Sequence, residues 1–217
     1  MRCVTLLSGG LDSVVATTVA VQQHTVALAI TGDYGQRAAQ AEIAAAHAVC
    51  DALGLEHRVV GLPWLGDITR TALVDTEQNL PKLAASELDA EDKTTASAAA
   101  VWVPNRNGVL INVAAAHAES LGCDVVVCGF NAEEGATFPD NTGEFAAAAT
   151  TALSFSTLSQ VRVWSPTQDL TKREIVALGR KLGAPLEHVW SCYGPGPKAC
   201  GECESCLRLA RAMANGR

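Results

Sequence analysis

The chain has 217 residues, 48% of them hydrophobic and 18% charged, an ordinary globular composition with enough length to bury a substantial core but little room for two full domains. Sixteen Lys and Arg against 23 Asp and Glu leave a formal net charge of −7, which argues against a broad basic surface for duplex DNA or anionic lipid and leaves only a local anion pocket. No apolar run approaches the roughly 18 residues that span a membrane, and no charged-then-apolar leader opens the chain, so a soluble, cytoplasmic protein without membrane or nucleic-acid partners is expected.

Along the chain, strands are predicted at 2–7 (RCVTLL), 25–31 (TVALAIT), 56–62 (EHRVVGL), 124–130 (DVVVCGF) and 161–164 (VRVW). They are short, rich in valine and apolar without alternation, the pattern of parallel strands covered on both faces. Helices are predicted at 12–23, 37–53, 107–121, 143–158 and 172–182, each bounded by glycine, proline or polar residues. This alternation implies an α/β fold with a doubly wound parallel sheet. Residues 83–101 (LAASELDAEDKTTASAAAV) are polar, alanine-rich and unpatterned, and read as a mobile loop, either a lid or a plain surface insertion.

The first strand runs into Ser8-Gly9-Gly10-Leu11-Asp12-Ser13, which opens the first helix. Free main-chain amides and the helix dipole converge there, at the carboxyl edge of the sheet, where a polyphosphate would sit. The loop has no GK[ST] ending and no third glycine at the dinucleotide spacing, which sets aside both of those phosphate-binding motifs. A plain strand-to-helix turn is the bland alternative.

Further polar residues cluster at the same edge. Arg106 and Asn107 sit just before a helix, where a guanidinium meets a carboxylate or phosphate in a bidentate way, unless it is an ordinary surface cap. Residues 131–140 follow a strand at its carboxyl end, so their side chains project toward a ligand. Thr171 and Glu174 form a capping box. Lys172 lies in a first helical turn, a poor place for a cation by the dipole rule, so either a phosphate is its partner or it is simply exposed. The five histidines form no visible pair.

Of eight cysteines, Cys3, Cys50, Cys123 and Cys128 are scattered through apolar segments and read as buried small hydrophobes. Cys192, Cys200, Cys203 and Cys206 are spaced C-x7-C-x2-C-x2-C. That spacing points to a structural zinc site, with an iron–sulfur cluster or a redox pair as alternatives. Such a site would knot the C-terminal tail against the sheet and order 191–197 near the active edge.

The SGGxDS pattern after a first strand resembles the PP-loop of ATP pyrophosphatases. Taken in order with DYGQR (33–37), VPNRN (103–107), GFNAEEGATFPD (129–140), SPTQDLTKREIV (165–176) and the cysteine group, it makes nearly the whole chain similar to the 7-cyano-7-deazaguanine synthase (QueC) family. The resemblance implies a PP-loop, adenine nucleotide alpha hydrolase-like ATP-binding domain over 1–190, with a small zinc-binding segment at 191–217 packed on it. It implies ATP, Mg2+ and Zn2+ as cofactors, a homodimer, and a ligase forming carbon–nitrogen bonds that converts 7-carboxy-7-deazaguanine and ammonia to the nitrile through an adenylated intermediate.

By the same resemblance, ATP is held by Leu7, Ser8, Gly9, Gly10, Leu11, Asp12, Ser13, Val14, Val15, Ala16 and Thr17, with Asp12 as magnesium partner. Asp12, Arg106 and Lys172 are the expected catalytic residues. Asp33, Gln36, Arg37, Asn107, Asn131, Glu133, Phe138 and Asp140 are the expected substrate contacts, with Asp140 or Glu133 reading the amino-pyrimidine edge and Phe138 either stacking or core. Zinc falls to the four clustered cysteines. The chain departs from the family pattern at Ala38, where histidine is common, and at Asn141-Thr142, where Cys-Arg is common. The second departure keeps open a related ligase using another amine. A sulfur-transfer enzyme and a zinc module binding nucleic acid through 208–217 are the remaining alternatives.

Overall fold

β1 (Arg2–Leu6) leads through the glycine loop into α1 (Leu11–Gln23), followed by β2 (Thr25–Asp33), α2 (Ala39–Leu53), β3 (His57–Gly61) and a short α3 (Pro63–Ile68). Then come α4 (Glu91–Val101), α5 (Arg106–Ser120), β4 (Val125–Val127), α6 (Ala132–Gly135), α7 (Gly143–Ser156), β5 (Arg162–Trp164), α8 (Lys172–Leu182) and α9 (Glu204–Ala214). The computed structural model describes residues 1–214, so the end of the 208–217 tail lies outside the described residues.

The five strands form one parallel sheet in the order β3-β2-β1-β4-β5. The direction of winding reverses between β1 and β4, and a doubly wound sheet opens its ligand crevice at that switch point. β1 shows why the strands lack alternation. Cys3 packs with Ala16 and Ala20 of α1, and Thr5 Oγ1 bonds Thr17 Oγ1 at 2.7 Å on the same side. Val4, on the opposite side, joins Ile111 and Ala114 of α5 and Leu153 of α7. Cys3, Cys50, Cys123 and Cys128 are all buried, and burial pushes the Cys3 and Cys50 thiols up to about 11.

α8 is placed by local chemistry and by its apolar stripe. Thr171 Oγ1 accepts from the Glu174 N–H at 3.3 Å while the Thr171 N–H donates to Glu174 Oε2 at 2.8 Å, and Gly183 closes the helix with a φ of 69°. Ile175 and Val176 then pack on Leu11 and Val15 of α1, which sets the first turn of α8 beside the glycine loop.

The loop expected over 83–101 is corrected by the structure: a 3-10 turn occupies Ala85–Glu87 and α4 occupies Glu91–Val101. Thr94, Ser97, Ala98 and Val101 are the buried stripe of α4. Their spacing of three, four and seven is helical, but three of the four are small or hydroxylated, so the stripe does not register as apolar. Val101 anchors it against Leu65 and Leu73.

Candidate active site and metal centre

The glycine loop is shaped by two close approaches. Gly9 has a φ of +80°, and a Cβ there would lie 2.8 Å from Ala45 Cβ and 3.0 Å from Glu42 O. Ser13 Oγ accepts from the Ser8 N–H at 3.2 Å and donates to Gly10 O at 3.0 Å, holding the turn. No side chain caps α1, so the N–H groups that a helix start leaves without an internal partner remain for a ligand. Leu7, Ser8, Gly10, Leu11, Asp12 and Ser13 line a cavity at this point.

Gly129, at the end of β4, completes the loop from behind. A Cβ there would lie 2.5 Å from Ser13 N and 2.7 Å from Asp12 C, both main-chain atoms of the glycine turn. Gly129→Ala is expected to push that turn aside and to lower stability by about 1–3 kcal/mol, as overpacking does, or roughly 2–12 °C in melting temperature. An unchanged thermal unfolding midpoint would contradict this.

Lys172 reaches the cavity from α8 and is paired twice, to Asp12 Oδ2 at 2.8 Å and to Glu134 Oε1 at 2.7 Å. Burial works against its charge, but the two carboxylates outweigh it and hold the ammonium above its ordinary range. Burial also pushes the Asp12 carboxyl up against the pull of Lys172, with Glu134 adding to the rise. Glu134 resists its own burial and is held below the usual carboxylate range by Lys172. Asp12 Oδ1 is buried with no partner among the described residues. A hard cation takes oxygen ligands of this kind, so Asp12 and Glu134 are suited to hold one.

The other end of the cavity is built by α4, α5 and the turn before α7. Arg106 lines it, and its Nη1 donates to Tyr34 Oη at 3.4 Å. Burial opposes its charge, while Tyr34, Asp140 and Glu42 support it. Asn107 Nδ2 donates to Asp140 O at 3.0 Å, tying α5 to the Pro139–Asn141 turn. Gln36 lines the cavity too, though its amide is already engaged with Gly32 O at 3.1 Å and Glu42 Oε2 at 2.7 Å.

Several residues expected at the site stand elsewhere. Val14, Val15, Ala16 and Thr17 are buried in the core on the far side of the first turn of α1, because a helix presents only one stripe to a ligand at its end. Gly9 contributes shape, and its carbonyl accepts from the Trp190 N–H at 2.8 Å. Asp33 lines a separate, shallow depression with Arg70 and Asp75, and Arg37 is spent on Asp75 O and Gln78 O. Asn131 is fully buried, its Oδ1 capping α6 through the Glu134 N–H at 2.9 Å.

Glu133 is the clearest displacement. It accepts from the Lys172 N–H at 2.8 Å and pairs with Arg208 at 3.2 Å and Arg211 at 3.6 Å, clasping α6 to α9. Its neighbour Glu134 faces the cavity instead. Adjacent helical residues point about 100° apart, so only one Glu of the pair can do so. Tyr34, Glu42, Trp102, Glu134, Trp190 and Tyr193 also line the cavity; none is among the expected site residues, although Tyr34 lies within DYGQR, Glu134 within GFNAEEGATFPD and Trp102 directly before VPNRN.

The four clustered cysteines meet with all Sγ atoms within 4.8 Å of one another, a spacing suited to one ion, since Zn–S bonds near 2.3 Å put tetrahedral sulfurs about 3.8 Å apart. The Gly194 and Cys200 N–H groups donate to Cys192 Sγ, each at 3.3 Å. This knot stands directly behind the cavity wall, which its sequence neighbours form. Trp190, Ser191 and Tyr193 line the cavity on one side of it and Ser205 on the other, and Trp190 Nε1 donates to Cys192 O at 3.0 Å.

A family model described as queuosine biosynthesis protein QueC matches residues 2–216. The 7-cyano-7-deazaguanine synthase of Pelotomaculum thermopropionicum is 54% identical over 212 residues, covering 98% of this chain and 96% of that protein. Proteins of the same name from Desulforamulus reducens and Methanosarcina mazei are 53% and 48% identical, covering 98% and 99% of this chain and 93% and 94% of their own lengths.

Proposed function

The chain belongs to the queuosine biosynthesis protein QueC family, and from that premise we propose that it is an ATP-dependent ligase converting 7-carboxy-7-deazaguanine and ammonia to 7-cyano-7-deazaguanine. One observation supports this reading above the others: a single cavity is walled at one end by the glycine loop and Lys172 and at the other by Arg106, so an anionic acid and a triphosphate can be held face to face.

A carboxylate is a poor electrophile, because its charge repels nucleophiles and oxide leaves badly. An oxygen of the acid attacks the α-phosphorus of ATP, the bond to the bridging oxygen breaks, and pyrophosphate leaves. The ammonia nitrogen then attacks the acyl carbon, and AMP leaves with the electron pair of the broken C–O bond. A second ATP activates the amide oxygen in the same way, and loss of AMP together with the two amide protons forms the nitrile. Arg106 orients the acid, while Ser8, Gly10, Ser13 and the open N–H groups of α1 receive the departing pyrophosphate, with Lys172 adding positive charge.

Asp12 and Glu134 would hold magnesium, which when bound neutralises triphosphate charge. Cys192, Cys200, Cys203 and Cys206 would hold zinc in a structural role, since four thiolates leave such an ion no open position for chemistry. Residues 1–190 act as the ATP-binding body and 191–217 as its appended segment. The family resemblance supports a cytoplasmic homodimer; among the described residues no helix is long and apolar enough to cross a membrane. Sulfur transfer is disfavoured, because Cys128, the cysteine in the cavity wall, has its thiol pushed up to about 12 by burial and is a poor nucleophile.

The departure at 141–142 has local reasons that do not call for another amine: Asn141 is buried beside Asp140, and Thr142 caps α7 by accepting from the Phe145 N–H at 3.1 Å. Incubation with ATP, magnesium, ammonium and the acid is expected to yield AMP, pyrophosphate, amide and nitrile by mass spectrometry. Formation of AMP and pyrophosphate with neither amide nor nitrile would remove the ammonia step, and no AMP at all would remove the whole reading.

A further inference from the structure

The acid end of the cavity carries a feature that adenylation alone does not need. Trp102, the residue that ends α4, lies with its ring parallel to that of Phe138, 8° between planes and 6.1 Å between centroids, and both rings line the cavity. Asp140 follows two residues after Phe138 and is 9% exposed. Its carboxyl accepts from Asn141 Nδ2 at 3.5 Å, and its main chain is pinned to α5 by Asn107. Arg106, the neighbour of Asn107, presents its guanidinium to the same space.

Aromatic faces, a buried carboxylate and a guanidinium therefore meet in one place, and each selects a different part of a ligand. Parallel rings favour a flat π-system packed by its face. A carboxylate pairs best with two N–H donors side by side, the arrangement that a ring N–H and an adjacent exocyclic amine present on a 2-aminopyrimidinone. The guanidinium takes a carboxylate. Resting on the reading above, we propose that Trp102, Phe138 and Asp140 form the subsite that selects the acid: the rings pack its heterocycle, and Asp140 accepts from the N–H groups of its 2-aminopyrimidinone edge. Trp102 and Asp140 are thus specificity-determining residues for the adenylation step.

The test compares two acids, 7-carboxy-7-deazaguanine and the analogue lacking the 2-amino group, by acid-dependent AMP formation. The unsubstituted enzyme is expected to prefer the acid that bears the 2-amino group by about 10²-fold in kcat/KM, the factor that one hydrogen bond to a charged group is worth. Asp140→Asn is expected to raise KM for the amino compound and shrink that preference below about fivefold, with KM for ATP unchanged. Trp102→Ala is expected to raise KM for both acids alike, about tenfold, and Trp102→Phe to restore it. Equal use of the two acids by the unsubstituted enzyme, or an undiminished preference in folded Asp140→Asn, overturns the role of Asp140; should that variant not fold, the analogue preference of the unsubstituted enzyme decides it. Unchanged KM values in Trp102→Ala overturn the aromatic part. Absence of AMP with either acid is a different failure, of the ligase reading itself, and the subsite falls with it.

Discussion

Asp12→Ala is expected to lower AMP formation by about 10³-fold or more while the fold survives, because the substitution removes a carboxylate that would hold the cation against the reacting phosphates and leaves Lys172 still paired to Glu134 at 2.7 Å. Thermal unfolding should move by only a few degrees. Lys172→Ala behaves differently. It leaves the Asp12 and Glu134 carboxylates facing each other without their cation, and breaking a buried pair in this way costs about 3–5 kcal/mol, or roughly 10 °C at about 2–4 °C per kcal/mol for a chain of this size. Added magnesium should recover part of that loss, since the same carboxylates are suited to a divalent ion. AMP release by chromatography and melting with and without magnesium separate the two cases. Activity of Asp12→Ala above a tenth of the starting value would remove it from the catalytic set.

Removing the metal from the cysteine site is expected to act on catalysis as well as stability. Structural zinc contributes binding energy directly to folding, so a chelator should lower the melting temperature by about 10 °C or more and expose 190–214 to proteases. The cavity wall goes with it: Trp190 is fastened to the glycine loop through Gly9 O and to the knot through Cys192 O, and Ser191 and Tyr193 flank the ligand Cys192. ATP affinity by calorimetry should therefore fall at least tenfold in the stripped protein at a temperature where it remains folded. Intact nucleotide uptake would confine the metal to the tail, and unchanged proteolysis would deny it even that.

The residue pattern revealed the sheet well because each strand is a short apolar run bounded by turn residues, and α8 reads residue for residue because its capping box, its strong amphipathic stripe and Gly183 all agree. The glycine loop and the cysteine spacing are likewise local: each is a handful of neighbouring residues constrained by its own turn geometry. α4 escaped because its buried face is made of Thr94, Ser97 and Ala98, whose burial depends on neighbours far away in the chain rather than on their own hydrophobicity.

By itself, then, the order of residues determined the parallel α/β architecture, the glycine turn after β1, the cluster of four cysteines and the family. Only the folded chain decided which polar residues face the ligand. Glu134 rather than Glu133 meets the Lys172 ammonium, Glu133 taking only its main-chain N–H, Arg37 turns away to Asp75 O and Gln78 O, and Trp102 comes to lie against Phe138. The reason is geometric. Backbone conformation and metal spacing depend on residues close in sequence, whereas the direction of a side chain at a shared cavity depends on the packing of helices that the chain brings together across 30 to 160 positions.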